Sequence, residues 1–291
     1  MNTPIFLHYS KDELDRNFDQ RGWIDNADEV IARYAPRAAA ARTRWAHLSD
    51  VSYGPSADER LDVFKAAQPA GALAPIQVFV HGGRWVNFTK EDYSFVADGF
   101  CPAGIHTVML NFTKLPTVRM PEMVEQIRRG IEWVWRNAES FGGDRAQIHV
   151  SGHSSGAHLA ALCLTTDWAV RGLPSDLIRS AAFASGPYDM EPVMLSARSA
   201  YVKLEPAEVP QYSPQAHVAK VRCPVTLARA QYDTDEFRRQ SSAYADGLRA
   251  TGHLADFRDL AGINHFEIME AFGEPDGALV QMALAVMAKG R

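Results

Sequence analysis

Several sequence features that point directly to a class of protein are scarce in this chain of 291 residues. It has three cysteines, Cys101, Cys163 and Cys223, which lie far apart among apolar residues. An odd number with this spacing fits neither a disulfide framework nor a zinc site, so we expect buried, reduced thiols and a cytoplasmic location. The chain also lacks an H-E-x-x-H pattern or a Cys/His ligand set, and we therefore expect neither a metal ion nor another cofactor.

Long apolar runs and an excess of positive charge are missing as well. No run approaches the ~20 residues of a membrane-spanning helix, and the N-terminus reaches charged residues too soon for a signal peptide. The 30 Lys and Arg residues are outnumbered by 35 Asp and Glu residues, without a basic cluster. We therefore expect a small-molecule substrate as the partner, and neither nucleic acid nor a membrane. For the oligomeric state, the sequence is compatible with both a monomer and a homodimer.

What the chain does have is an alternation of short β-branched runs with helical patterns. This alternation predicts an α/β fold, in which a mostly parallel central sheet is flanked by helices. The predicted strands are Pro75–Val80, Gly104–Leu110, Ala146–Val150, Ser180–Ala184, Pro224–Ala228 and Ala255–Leu260.

The first part of the chain differs from this alternation. Residues 1–45 predict an N-terminal helical arm that serves as a partial lid, and an antiparallel strand pair follows at Ala46–Tyr53 and Leu61–Phe64. We interpret residues 1–291 as a single domain. The stretch Ser196–Pro214 has no clear period, and long loops of this kind often form pocket walls.

A nucleophile motif stands where a strand meets a helix. The run Gly152-His153-Ser154-Ser155-Gly156 matches G-x-S-x-G, which in α/β-hydrolases places the serine on a sharp turn between strand and helix. The register selects Ser154, and the backbone amide of Ser155 would donate to the oxyanion. The other interpretation is a Gly/Ser turn whose serine caps the helix.

Directly after the strand Pro75–Val80 comes the run His81-Gly82-Gly83-Arg84-Trp85. Loops of the HGG type supply oxyanion amides in lipases and esterases, so Gly82 and Gly83 are the candidates for this role. The alternative is an ordinary tight turn.

A serine nucleophile needs a base that is held by a third group. Asp233 follows the strand Pro224–Ala228 and is the candidate acid, with Asp235 at the start of the next helix as the runner-up. His265 lies in a loop after the strand Ala255–Leu260 and is the candidate base. The order Ser, Asp, His is the one that α/β-hydrolases use.

Taken together, these motifs resemble the kynurenine formamidase (arylformamidase) group of α/β-hydrolases, which is close to hormone-sensitive-lipase-type esterases. The resemblance extends over most of the chain and also includes the segments Tyr9–Asp15, Gly186–Pro192, Asp233–Ser241 and Asn264–Phe266. It implies Ser154, Asp233 and His265 as the triad, and the amides of Gly82, Gly83 and Ser155 as the oxyanion hole. Two residues depart from the family pattern, Arg84 and Asp235, where an aromatic residue and a proline are frequent.

Aromatic and sulfur-containing residues in the loops are candidate pocket walls: Trp85, Phe88, Tyr93, Phe112, Tyr188 and Met190. Of these, Trp85 and Tyr188 are the proposed substrate contacts. Arg84 would either meet a substrate carboxylate or be a solvated arginine.

The expected activity is hydrolysis of a formyl or acetyl group from a small aromatic amide through an acyl-enzyme. One alternative is a broad-specificity carboxylesterase that uses the same triad on small esters. Another is a non-catalytic ligand receptor with the same fold.

Overall fold

The computed structural model describes residues 3–289, and within them an eight-stranded sheet forms the centre of the fold. The strands lie in the order β1-β2-β4-β3-β5-β6-β7-β8. Their bounds are β1 His47–Ser52, β2 Arg60–Phe64, β3 Ala74–Val80, β4 His106–Leu110, β5 Gly143–His153, β6 Ile178–Ala184, β7 Val225–Ala230 and β8 Leu254–Leu260. From β4 to β8 neighbouring strands are parallel, whereas β2 pairs antiparallel with both β1 and β4. The predicted fold class and the antiparallel edge are confirmed.

Helices cover both faces of the sheet. Their bounds are α1 Lys11–Asn17, α2 Gln20–Trp23, α3 Ala27–Ala32, α4 Tyr34–Arg44, α5 Val96–Phe100, α6 Met120–Asn137, α7 Ser155–Leu164, α8 Met190–Leu195, α9 Ser199–Val202, α10 Glu208–Gln211, α11 Asp235–Ala250, α12 Glu267–Glu270 and α13 Ala278–Lys289. Short 3-10 turns lie at Lys90–Tyr93, Cys101–Ala103, Ala138–Phe141, Ala169–Arg171 and Pro214–Lys220. The stretch Ser196–Pro214, whose sequence shows no clear period, carries the brief helices α9 and α10.

The central strands are buried because helices cover both of their faces. In β4 every residue is buried, and β3 and β6 each have one half-buried position. Strands that are buried on both sides are built from continuous apolar runs, and the Val- and Ile-rich sequences meet this requirement. Because β3, β5, β7 and β8 are parallel, the segments that follow them emerge at one edge of the sheet. That edge carries the candidate site.

The N-terminal arm consists of α1–α4 and packs against the carboxyl-end edge. Asn17 accepts a hydrogen bond from the backbone N–H of Glu236 at 2.9 Å through Oδ1, while its carbonyl accepts one from the Thr234 hydroxyl at 2.8 Å. The start of α11 is therefore capped by a side chain from the arm, and Asp235 is only a first-turn acid. Arg33 makes a two-pronged pair with Glu270 at 3.0 and 2.8 Å, which attaches the arm to the C-terminal region.

The three cysteines are free and buried, as the sequence predicts. Burial raises the pKa of each thiol to about 12, so they stay protonated and unreactive at neutral pH. No helix within residues 3–289 is long and apolar enough to cross a membrane.

Candidate active site

Ser154 occupies a strained turn between β5 and α7. Its backbone has φ 53° and ψ −127°, a combination that residues other than glycine rarely adopt. A Cβ on Gly152 would lie 2.7 Å from the Gly156 carbonyl group, and one on Gly156 would lie 2.1 Å from the Val80 oxygen. Both glycines of the motif are therefore required for the turn to form. The structure confirms the predicted strand-turn-helix setting.

His265 contacts both other members of the predicted triad. Its Nε2 lies 3.0 Å from the Ser154 hydroxyl oxygen, and its Nδ1 lies 2.7 Å from Oδ1 of Asp233. Because a carboxylate can only accept, Nδ1–H donates to Asp233, and Nε2 is left to accept from the serine. All three residues are buried, with exposed fractions of 3–4%. Asp235, the runner-up, is exposed on α11 and makes no contact with His265.

The carboxylate of Asp233 is held by two further donors. Its Oδ2 accepts from the Ser185 hydroxyl at 2.6 Å and from the Ala230 N–H at 2.9 Å. These bonds leave Oδ1 directed at His265. Ser185 is buried, directly follows β6 and has a positive φ of 49°. Sequence reasoning missed it, although its place between a strand end and Gly186 is a signal that could have found it.

The two histidines beside the nucleophile have other contacts. His153 donates from Nε2 to the backbone carbonyl of His265 at 2.8 Å. His158 receives the indole N–H of Trp85 on Nδ1 at 3.2 Å and donates to the Tyr212 carbonyl from Nε2. Burial lowers the pKa of His158 to about 4, and burial together with the nearby His265 lowers that of His153 well below 6.5. Both imidazoles are therefore neutral at physiological pH.

The HGG loop passes directly over the nucleophile. A Cβ on Gly82 would lie 3.3 Å from Cβ of Ser154, and Gly83 has φ 118°, a conformation that favours glycine. A Cβ on Gly83 would also lie 2.2 Å from the Asn87 oxygen. The loop is tied to α7 because the Trp85 N–H donates to the Ser155 hydroxyl at 3.2 Å. The structure thus brings Gly82, Gly83 and Ser155 together around Ser154.

His81 supports this loop from below. Its ring stacks on Phe112 with a centroid distance of 4.4 Å, and its Nδ1 bonds the Gly82 carbonyl at 2.8 Å. Burial lowers its pKa to about 4. His81 is therefore a neutral side chain that supports the loop.

A cavity of about 50 Å³, here called the acyl pocket, opens at Ser154 and His265. Aromatic side chains make up much of its wall, and residues of the N-terminal arm complete it. The other lining residues are Gln20, Arg21, Ile31, Gly83, Arg84, Asn87, Phe88, Tyr93, His153 and Phe266. The arm residues could not be placed there from the sequence because they are more than a hundred positions from the nucleophile.

The structure corrects the assignment of Trp85 and Tyr188 as pocket walls. Neither is among the residues that line the acyl pocket, and each has an exposed fraction of 1%. Trp85 turns toward His158, and the Tyr188 ring stacks on Tyr244 with a centroid distance of 4.2 Å. The rings of Trp85 and Tyr188 lie next to the candidate site and fill the core beneath it.

Comparison with known proteins agrees with this geometry. The BD-FAE family model matches residues 61–177. A kynurenine formamidase of Danio rerio is 31% identical and aligns with 96% of this chain and 97% of its own length. The chain belongs to the kynurenine formamidase family. The corresponding protein of Salmo salar has the same identity and coverage, so the resemblance inferred from the motifs is confirmed. The enzyme is a hydrolase.

More distant relatives share the fold. The crystal structure of a candidate thioesterase from Silicibacter sp. TM1040 superposes with a TM-score of 0.81 at 24% identity, covering 94% of this chain and 99% of that one. The metagenomic carboxylesterase EstE1 superposes with a TM-score of 0.72 at 20% identity, covering 99% of this chain and all of that one. At these identities the likeness supports the α/β-hydrolase fold.

Proposed function

We propose that the enzyme removes a formyl or acetyl group from a small aromatic amine, with Ser154, His265 and Asp233 as its catalytic triad. The observation that carries the proposal is the double contact of His265, which bonds the serine hydroxyl at 3.0 Å and the Asp233 carboxylate at 2.7 Å. Family membership supports amide hydrolysis, because the relatives that align over nearly their full length are named kynurenine formamidases.

The first half of the reaction forms an acyl-enzyme. Ser154 Oγ attacks the carbonyl carbon while His265 Nε2 takes the hydroxyl proton, and the Asp233 carboxylate stabilises the resulting imidazolium. The negative oxygen of the tetrahedral intermediate accepts hydrogen bonds from the amides of Gly82, Gly83 and Ser155. The intermediate then breaks its carbon–nitrogen bond, and His265 gives its proton to the departing amine.

The second half releases the acid. Water enters, loses a proton to His265 and attacks the acyl carbon of the ester on Ser154. Collapse of this second intermediate breaks the bond to Ser154 Oγ, which regains its proton from His265. Each turnover consumes one amide and one water, and it yields one amine and one carboxylic acid.

The acyl pocket supports a short acyl group and an aromatic leaving group. Its volume of about 50 Å³ is that of a few water molecules, which is room enough for a formyl or acetyl group. An aryl leaving group is larger than this volume and would project out of it, where the half-buried rings of Phe88 and Phe266 offer faces and edges for packing.

The second candidate function is carboxylester hydrolysis by the same triad. It is favoured by relatives such as the esterase LipQ of Mycobacterium tuberculosis, which is 30% identical over 76% of this chain and 57% of its own length. A non-catalytic receptor is less well supported, because such a receptor has no need of a triad with every contact formed.

We further propose that the enzyme works in the cytoplasm. Its buried, unpaired thiols are compatible with a reducing compartment.

A hydrolysis panel tests the proposed function. The panel contains formanilide, acetanilide and p-nitrophenyl acetate, and the Ser154→Ala enzyme serves as the blank. We expect kcat/KM for formanilide to exceed that for acetanilide, with no turnover by the variant. Hydrolysis of the ester alone would contradict the proposed amide hydrolysis and support the carboxylesterase function instead.

A further inference from the structure

The loop that carries His265 is bonded to the N-terminal arm on both sides of the histidine. On one side, Nδ2 of Asn264 donates to Oδ1 of Asn26 at 2.9 Å. On the other side, the hydroxyl of Tyr34 donates to the carbonyl of Phe266 at 2.6 Å. Asn26 and Tyr34 belong to the arm and lie more than two hundred positions earlier in the chain. The residues before and after the base are thus attached to the same distant segment.

The amide of Asn26 closes a ring of hydrogen bonds at the start of this loop. Its Nδ2 donates to Oε1 of Glu267 at 3.2 Å, and Oε2 of the same carboxylate accepts from the Asn264 N–H at 2.9 Å. Because a carboxylate can only accept, Nδ2 of Asn26 faces Glu267, and Oδ1 is left to accept from Asn264. Oδ1 of Asn264 also accepts from the N–H groups of Phe266 and Glu267 at 2.9 and 3.1 Å, across the position of His265. The Asn264 side chain therefore joins the arm to the turn that contains the base.

Tyr34 is a donor with a fixed position. Its exposed fraction is 2%, and its ring lies 5.6 Å from the ring of Tyr93 and 5.4 Å from that of Phe95, measured between centroids. Burial raises the pKa of its hydroxyl well above the ordinary value, so the hydroxyl stays protonated and can donate at neutral pH. The Phe266 carbonyl also accepts from the Met269 N–H at 3.1 Å. This carbonyl would therefore keep a partner without Tyr34, and what the tyrosine adds is a fixed position for the loop.

The strand side of the loop is attached less closely. Ala261 and Gly262, which follow β8, are exposed, and the carbonyl of Ile263 accepts from the Tyr232 N–H at 3.1 Å. These positions lie two or more residues before the base, whereas the arm bonds its immediate neighbours. The arm therefore acts where a backbone rotation would turn the imidazole most directly. The bond from His153 reaches the same part of the loop from the end of β5.

Base catalysis depends on where this loop places the imidazole. His265 has to keep Nε2 at the Ser154 hydroxyl and Nδ1 at Asp233, and a displacement of about 1 Å can cost about a hundredfold in rate. We propose that Asn26 and Tyr34 are positioning residues, which keep the imidazole of His265 aligned with both of its triad partners. This inference rests on the proposed function, in which His265 is the base. It gives the arm a second role besides forming part of the wall of the acyl pocket.

Two substitutions remove the contacts of the arm with the loop and leave the reacting atoms in place. Tyr34→Phe keeps the ring and deletes the hydroxyl, and Asn26→Ala opens the ring of hydrogen bonds. We expect each variant to lower kcat for formanilide about tenfold, with KM within about twofold, because the base moves while the pocket-lining residues of the arm are unchanged. The rate constant for fluorophosphonate labelling of Ser154 should fall by the same factor, since labelling depends on the same base.

Two other variants are matched controls. Arg33→Gln removes the arm's pair with Glu270, which keeps a second partner in Arg37 at 3.2 Å. Tyr244→Phe deletes a buried hydroxyl that makes no hydrogen bond with any residue from 3 to 289. Both controls should keep kcat and the labelling rate constant within about twofold of the unmodified enzyme. A thermal melt of each variant shows that it is folded at the assay temperature.

Unchanged kcat and labelling in folded Tyr34→Phe and Asn26→Ala proteins would overturn the inference, even if both proteins melted at lower temperatures. It would also be overturned if Arg33→Gln slowed both reactions as much, because the effect would then belong to the docking of the arm in general.

Labelling and hydrolysis together tell this inference apart from the proposed function. If formanilide is not hydrolysed but labelling slows in the two site variants, the positioning role is retained and the proposed function is lost. If formanilide is hydrolysed and all variants label at equal rates, the proposed function is retained and the positioning role is lost. An unmodified enzyme whose Ser154 is not labelled would contradict both.

Discussion

The imidazole of His153 donates a hydrogen bond from Nε2 to the backbone carbonyl of His265, with an N–O distance of 2.8 Å. The residue that precedes the nucleophile thereby holds the loop of the base, which is 112 positions away along the chain. Because burial and the neighbouring His265 keep His153 neutral, it adds no charge that would oppose the imidazolium formed during catalysis.

Replacing His153 should therefore impair the base without touching the reacting atoms. We expect His153→Leu to lower kcat/KM for formanilide about tenfold, since a buried carbonyl loses its donor and the His265 loop loosens. Steady-state kinetics with a parallel thermal melt measures this. His253→Leu is the control, because His253 is half-buried and its imidazole bonds the nearby Thr251 carbonyl, away from His265. Unchanged kinetics in a folded His153→Leu protein would refute the positioning role.

The choice of acid can be tested by two matched substitutions. Asp233→Asn should lower kcat by about three to four orders of magnitude, because the amide no longer fixes the tautomer of His265 or stabilises its charged form. Asp235→Asn, on the exposed first turn of α11, should leave kcat within about twofold and cost only a few tenths of a kcal/mol in the free energy of unfolding. The reverse ranking of the two kcat values would show that the acid is Asp235.

The HGG loop depends on a glycine conformation at Gly83. Gly83→Ala should lower kcat by about two to three orders of magnitude, since its Cβ would lie 2.2 Å from the Asn87 oxygen and shift the oxyanion amides. Gly71→Ala is the control, because Gly71 also has a positive φ, of 80°, but would meet nothing within 4 Å. If both variants kept full kcat, the loop would not be an oxyanion hole.

Neutral buried histidines make stability depend on pH. Burial lowers the pKa of both His81 and His158 to about 4, whereas unfolded histidine titrates near 6.5. Between these values the unfolded state binds more protons, so the stability that is present above pH 6.5 is lost as the pH falls toward 4. From pH 7 to pH 5 each of these histidines should cost about 2 kcal/mol.

Urea unfolding at pH 7 and pH 5 measures this dependence. His158→Gln should reduce the loss of unfolding free energy between the two pH values by about 2 kcal/mol. The same substitution at His217, which is half-buried in a 3-10 turn, should leave the loss unchanged. A loss that is identical in the unmodified protein and in His158→Gln would contradict the account.

Much of this architecture could be predicted because it depends on local patterns in the sequence. The central strands β3 and β4 are largely apolar runs, and the serine of G-x-S-x-G has only one register that gives it both glycines. Asp233 could be separated from Asp235 because a strand end projects its next residues over the sheet edge, whereas a first-turn acid serves its helix.

The residues that sequence reasoning misplaced or missed depend on contacts between distant segments. Trp85 lies next to the oxyanion loop in sequence, yet its ring turns inward to His158 and Arg198. Asn17 caps α11 from more than two hundred positions away, and Gln20 reaches the acyl pocket from the same arm. Hydrophobic periodicity contains no information on how such an arm docks, because docking depends on the completed sheet.

The most direct test of the central claim is mass spectrometry of the enzyme after reaction with a fluorophosphonate, combined with the formanilide assay on the same sample. The tryptic peptide Ala146–Arg171 contains Ser151, Ser154 and Ser155, so fragmentation can distinguish them. We predict one adduct, on Ser154, with formanilide hydrolysis lost in proportion to labelling and with neither label nor hydrolysis in Ser154→Ala. An adduct on another residue, or formanilide hydrolysis that persists in Ser154→Ala, would contradict the account.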